Sequence, residues 1–286
     1  MSVSKRPTTV IKIGGSVLTT SASYGTAARF LANRLVRHPE KSIVAVVSAQ
    51  QGLTDSLERI GREICASPSA SALDLLWSTA ELRSVALLTL HLEALGVRAR
   101  GLNVHQSGLR VLVRKEKATQ PVGASLTFHR GHDGLLAAVA EEEVVVVPGF
   151  FAVNEDGATV SLGRGGSDLT AVVLAEALGA RECELIKDVP GYFTRDPHKD
   201  PNVCPLPFLT YWEALGMAGS GSKLVQTAAL EAAAAAGLNI VVRSLADDAA
   251  QTVISRTTPN VRSSSVGRPR AALSTTGRSW AEEIAE

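Results

Sequence analysis

Thr8-Thr9-Val10-Ile11-Lys12-Ile13-Gly14-Gly15-Ser16 joins a short β-branched run to a small-residue loop that carries a cation. The run predicts a strand over 8–13 that ends in a glycine turn. A second loop of the same kind, Gly163-Arg164-Gly165-Gly166-Ser167-Asp168, opens a helical stretch from Leu169 to Leu178. Small residues let backbone N–H groups crowd an anion, and a helix N-terminus favours negative charge. Two such loops on one chain point to a site that holds two anionic ligands at once.

Working outward from the first loop, strand-like runs alternate with helical patterns. Strands are expected near 8–13, 42–48, 97–102, 143–148, 182–187 and 238–243, mostly rich in Val and Ile. Helical patterns lie between them at about 24–37, 53–66, 71–95, 133–141, 168–179 and 221–236. This alternation predicts an α/β fold, a three-layer αβα sandwich with a mainly parallel central sheet. Ligands in such sheets bind at the carboxyl ends of strands, where the first loop sits. The second loop follows the apolar stretch Ala158 to Leu162, so a strand of the same sheet is expected before it.

The composition excludes several classes. Of 286 residues, 45% are hydrophobic and 20% charged, with a net charge of +1, so no field draws nucleic acid or a membrane surface. Cys65, Cys183 and Cys204 lack metal-ligand spacing and read as reduced thiols. MSVSKRPTTV lacks the apolar stretch of a signal peptide, and no apolar run is long enough to span a bilayer, so a cytoplasmic protein is expected. From Thr257 onward Ser, Thr, Arg and Pro dominate without periodicity, which predicts a flexible tail over 258–286.

The motifs, taken in order, resemble the catalytic domain of aspartate kinases, within the amino acid kinase superfamily. They are KIGGS at 12–16, VVSAQQGLTD at 46–55, STAELRSVALL at 78–88, VPGF at 147–150, LGRGGSDLTA at 162–171, KDVPGYFTRDP at 187–197, GSK at 221–223 and VVRS at 241–244. KIGGS by itself is shared with carbamate, uridylate and acetylglutamate kinases; the second loop followed by DVPG and TRDP is more specific. The resemblance implies the amino acid kinase fold over 1–257, with a substrate half at about 1–150 and a nucleotide half at about 151–257. It also implies transfer of the γ-phosphoryl group of ATP, arriving with Mg2+, to the side-chain carboxylate of L-aspartate.

That chemistry needs little covalent help. An aspartate side chain has a pKa of about 3.9 and is already ionised, so no general base is required. The obstacle is repulsion between an anion and a triphosphate, and the site must supply cations and N–H donors. Lys12, beside Gly14, Gly15 and Ser16, and Lys223, after a small-residue run, are the expected phosphate cations, the second by resemblance. Asp168 is expected to hold these two lysines; it could also cap the helix it opens. Arg164 suits the substrate α-carboxylate, because a guanidinium binds both oxygens at once.

The remaining roles are carried over from the family. Glu81 is the implied partner of the substrate ammonium. Ser48, Thr54, Phe150, Gly165 and Ser167 complete the implied acceptor pocket. Lys187, Asp188, Phe193, Arg195 and Asp196 fall in the implied nucleotide loop. The protein itself is expected to supply no metal ligands.

Several residues depart from the family pattern. Gln226-Thr227 stand where a His-Pro pair is common, His198 replaces an arginine, and Ala80 and Gln51 replace glycines. No stretch resembles the paired ACT domains that usually follow, so a catalytic-only form without built-in feedback, or one regulated by a separate subunit, is expected. Expected partners are aspartate or a similar acidic amino acid, ATP and a second copy of the chain. Two alternatives stay open: a kinase for another acidic or modified amino acid, and a ligand-binding regulatory subunit with weak catalysis.

Overall fold

In the computed structural model the described residues are 6–111, 126–129, 133–163, 165–195, 200, 203–222, 224–245 and 250–257. β1 (Thr8–Ile13) lies near the middle of an eight-stranded sheet and pairs in parallel with β2 (Ser42–Val47) and β9 (Glu182–Ile186). Every residue of β2 is buried, as a Val/Ile-rich strand covered on both faces must be. Beyond β2 come β6 (Val144–Pro148) and β3 (Ala99–Gly101). Beyond β9 come β13 (Asn239–Arg243), β14 (Gln251–Ser255) and β12 (Phe208–Thr210) at the edge. β13 and β14 run antiparallel; the other neighbours in this sheet are parallel.

Strand alternation splits the core in two. Ile11 and Ile13 of β1 pack with α1 (Ser21–Arg37) and α3 (Ala70–Ala94) through Tyr24, Ala28, Leu31, Leu88 and Leu92. Val10 and its counterparts Val44, Val46 and Leu185 face the other way. That side holds α4 (Asp133–Glu141), α5 (Gly166–Leu178), α6 (Tyr211–Gly219) and α7 (Thr227–Ala236). Helices therefore cover both faces of the sheet. α2 (Leu53–Ile64) has no buried residue.

All six expected strands are present. Three differences have physical causes. The stretch before the second loop forms β8 (Thr159–Ser161), which belongs to a separate four-stranded sheet with β4 (Leu109–Val111), β5 (Leu126–Phe128) and β7 (Phe151–Val153). β8 is a hairpin partner of β7, so the second loop does not follow a strand of the main sheet. The helix expected from 221 begins only at Thr227, because Gly221 takes a φ of 101° that no helix tolerates. α6 was not expected; its Thr210 and Glu213 form a reciprocal capping box that stops the chain from continuing as a strand. β10 (Tyr192–Phe193) and β11 (Pro205–Leu206) form a short ribbon. Among the described residues no helix is long and apolar enough to cross a membrane. The expected tail at 258–286 lies outside the described residues.

Candidate active site

The parity that puts Val10 on the α5 side does the same for Lys12, two residues later and still in β1. Its ammonium reaches Asp168, the third residue of α5, at 2.8 Å. Lys12 lies opposite Leu185 of β9, and Lys187 is two residues beyond Leu185, so it points to the same face. Lys187 Nζ lies 2.8 and 3.0 Å from the two Asp168 oxygens. All three side chains are buried. The two ammonium charges hold the Asp168 carboxyl down to about 2 against a burial cost that pushes it up. Burial, helped by the Lys12 charge, lowers Lys187 to about 8.

Asp168 was expected to hold Lys12 and Lys223. The structure pairs it with Lys12 and Lys187, while Lys223, Arg164 and Asp196 lie outside the described residues. Nor does Asp168 cap α5: Gly165, at a φ of 80°, occupies that position. The pairing with Lys187 left a readable trace. A lysine directly after a buried parallel strand, level with the Lys12 loop, sits where the two strands deliver their ends.

The first loop is wedged against its neighbours. The Gly14 N–H donates to the Ile186 carbonyl at 3.1 Å, and a Cβ on Gly15 would stand 2.7 Å from the Ala49 carbonyl oxygen. Ser16 Oγ donates to Asp188 at 2.9 Å, joining this loop to the one after β9. The loop after β9 is in turn pinned by β14, where the Tyr192 N–H donates to Thr252 Oγ1 at 2.7 Å. A Cβ on Gly165 would overlap the Gln226 side chain at 1.9 Å, which brings the residue before α7 against the second loop.

On the α3 side, Glu81 is 4% exposed, accepts from the Ala49 backbone and leaves Oε2 without a partner. Burial pushes its carboxyl up to about 8, opposed by that hydrogen bond and by the Lys12 charge. A buried acid with a spare oxygen is a receptor for a cationic donor. Phe150 takes a φ of 69°, rare for a non-glycine residue, and its ring meets Phe151 edge-on at 4.9 Å. A Cβ on Gly149 would stand 2.6 Å from Ser167, and one on Gly166 3.2 Å from Phe150 Cα. The strained corner is thus held against the second loop.

Ser48 follows β2 and Thr54 lies in the first turn of α2, both half-buried at the same end of the sheet as Lys12. Phe193 lies in β10 and is half-buried. Arg195 is not drawn to the lysine–aspartate cluster among the described residues: its side chain is 78% exposed and pairs with Asp200 at 3.2 Å. Chemically, the arrangement presents two buried cations beside a glycine loop on one side. On the other it presents a neutral acid ready to ionise.

Comparison with known proteins identifies the family and the fold. The family model described as the Amino acid kinase family matches residues 7–244. The aspartokinase of Mycobacterium tuberculosis is 35% identical over 248 residues, 86% of this chain and 56% of its own length. That of Thermus thermophilus is 35% identical over 216 residues, 75% of this chain and 52% of the relative. The chain spans about half the length of these curated relatives. The crystal structure of aspartate kinase from Synechocystis superposes with a TM-score of 0.73 at 34% identity, covering 89% of this chain and 40% of that one. E. coli aspartokinase III, solved in complex with aspartate and ADP, shares the fold at a TM-score of 0.71 and 24% identity, over 88% of this chain and 65% of that one. The match over 7–244 and the architecture around Lys12 and Asp168 together show that this chain belongs to the amino acid kinase family.

Proposed function

We propose that the protein is an ATP-dependent aspartate kinase, moving the γ-phosphoryl group to the side-chain carboxylate of L-aspartate to give 4-phospho-L-aspartate. The observation that carries this reading is the buried Lys12–Asp168–Lys187 cluster at the ends of β1 and β9, with Glu81 across the site. The aspartokinase relatives at 35% identity support the acceptor. Fold alone would not choose it, since UMP kinase from Ureaplasma parvum shares the fold at 16% identity.

In this reading the acceptor is its own nucleophile, because its carboxylate is ionised at neutral pH. Lys12, the Gly15 amide and Ser16 hold the transferring phosphoryl group, Gly14 fixes their loop through its bond to Ile186, and Lys223 adds a further cation. These charges follow the negative charge as it spreads in the transition state. Asp168 orients the lysines and transfers no proton; held near 2, its carboxyl stays ionised throughout the working range. Arg164 takes the substrate α-carboxylate. Glu81 takes its ammonium, ionising as that charge arrives and releasing a proton. Ser48, Thr54, Phe150, Gly165 and Ser167 shape the acceptor pocket, while Lys187, Asp188, Phe193, Arg195 and Asp196 lie along the nucleotide.

Magnesium prefers oxygen ligands and keeps several waters, so it enters as part of MgATP. Among the described residues there is no group of three or more His, Cys, Asp or Glu side chains that could hold a metal ion. The reading extends to a cytoplasmic homodimer, which light scattering of the purified protein would test.

The deciding experiment incubates the protein with ATP, magnesium and a panel of acidic amino acids, trapping acyl phosphate with hydroxylamine. Aspartyl hydroxamate as the main product is expected. Product with glutamate alone would reassign the acceptor, and none with any acid would overturn the kinase reading.

A further inference from the structure

Asp168 binds two ammonium groups, and one is enough to neutralise it. Lys187 touches both carboxylate oxygens while Lys12 shares one of them. The buried cluster therefore carries one positive charge in excess, and an unneutralised buried charge is costly. A surplus by itself does not mark a site, since Glu184 also pairs with two cations; here the second cation is a lysine, whose protonation follows its surroundings. The surplus also lies at a particular place. The Lys187 N–H is tied to the Arg243 carbonyl at 2.8 Å, and the preceding residue, Ile186, accepts from Gly14 at 3.1 Å. The second lysine is thus mounted beside the glycine loop rather than deep in the core.

We propose that Lys187 is a proton-coupled cation of the phosphoryl site: Asp168 holds it beside Lys12, and it takes up a proton as the nucleotide polyphosphate binds. This rests on the phosphoryl-transfer reading above but not on the identity of the acceptor. Burial and the Lys12 charge disfavour the charged form of Lys187 in the empty site, and Asp168 only partly offsets them. Other titratable groups surround the cluster. Glu81 of α3 acts on Lys12. The Cys183 thiol of β9 and the Tyr192 hydroxyl of β10 feel Asp168, and burial pushes both upward so that they stay neutral. Among the described residues none of these three forms an ion pair with Lys187. A polyphosphate does, and its charge raises the affinity of Lys187 for a proton.

The sign is fixed by the direction of the shift. Near pH 6.5 Lys187 is already protonated, and nucleotide binding draws nothing from solution on its account. Near pH 8, with Lys187 half charged in the empty site, binding takes up about half a proton. The test is calorimetry of MgADP binding without acceptor, at pH 6.5 and pH 8, in two buffers of different ionisation enthalpy. The wild type is expected to show uptake that grows toward pH 8. Lys187→Arg, charged at both values, is expected to bind MgADP without that increment. Lys187→Met is expected to lose the increment, to bind about tenfold more weakly and to turn over about 100-fold more slowly. If the methionine variant does not fold, the arginine variant carries the test.

Unchanged uptake and affinity in these variants would reduce Lys187 to a packing partner of Asp168 and overturn the proposal. Uptake that depends on Lys187, in a protein that makes no aspartyl phosphate, would sink the acceptor assignment and leave the proposal standing. Aspartyl phosphate made without any Lys187-dependent uptake would do the reverse.

Discussion

The two faces of the central sheet each bury a carboxylate between two cations, yet in the proposed reading only one of these clusters serves chemistry. On the α5 face, Asp168 sits between Lys12 and Lys187 at the ends of β1 and β9. On the α1 face, Glu184 of β9 is fully buried and pairs with Arg34 of α1 and with Arg243 of β13, the latter at 3.2 Å. Arg34 also lies over the Phe30 ring, 5.9 Å from its centroid. Arginine stays charged at any working pH, and its fork spreads over several partners, so the Glu184 cluster is a permanent tie between α1 and the sheet. Lysine is a compact charge whose protonation follows its surroundings. The charge count is the same in both places. Cation type and a position beside a glycine loop separate a clamp from a brace.

Replacing cations on the α5 face should do the most damage. In the proposed reading Lys12→Ala removes an ammonium that faces the transferred group, and kcat/KM in the acyl-phosphate assay should fall by about a thousandfold or more. Asp168→Asn leaves two buried ammonium groups facing one neutral amide. Turnover should fall by about 100-fold, and thermal unfolding should show a loss of about 3 kcal/mol. Near-normal turnover in either variant would mean that the cluster is a brace like its counterpart.

Glu81 offers a finer probe, because it is buried like Asp168 but makes no ion pair among the described residues. Glu81→Gln should raise the acceptor KM by about tenfold with a smaller change in kcat. With nucleotide saturating, the wild-type kcat/KM for acceptor should rise with pH through about 8, as the empty-site acid ionises, and the variant should lose that limb. The stability effect runs the other way. A carboxyl raised from 4.5 to about 8 in the folded state costs stability as pH climbs through that window, because only the unfolded chain ionises freely. The glutamine variant should therefore gain Tm relative to wild type at pH 8 and not at pH 4.

The smallest effect on catalysis is expected from Glu184→Gln. Unfolding should register a loss of about 3 kcal/mol, since the buried Arg243 and the half-buried Arg34 both lose this anion. kcat and KM should stay within about twofold of wild type. Kinetic damage comparable to that of Asp168→Asn would erase the distinction between the two faces.

Much of this was legible in the residues. The Val/Ile run at 42–48 reads as a doubly covered strand and forms β2, and the shorter apolar runs at 8–13 and 182–187, which also carry charged residues, form β1 and β9. The glycines beside Lys12 announced a loop at a strand end, and the parity of β1 sends Lys12 to the α5 side. Harder to read were β14 and the four-stranded sheet, whose short strands are defined by partners distant in the chain. Lys187 was read as a loop residue near the nucleotide. Its bond to Asp168 depends on β9 lying beside β1, an adjacency that no local pattern encodes.

Sequence alone determined the periodicities, the order of strands and helices, the glycine loops and the residue types able to face an anion, because these follow from local sterics and side-chain chemistry. Tertiary structure decided which lysine shares Asp168, which buried acid is left with a spare oxygen and which cation pair serves as a brace. Those outcomes turn on strand neighbours and on desolvation, which come into being only when distant segments pack together.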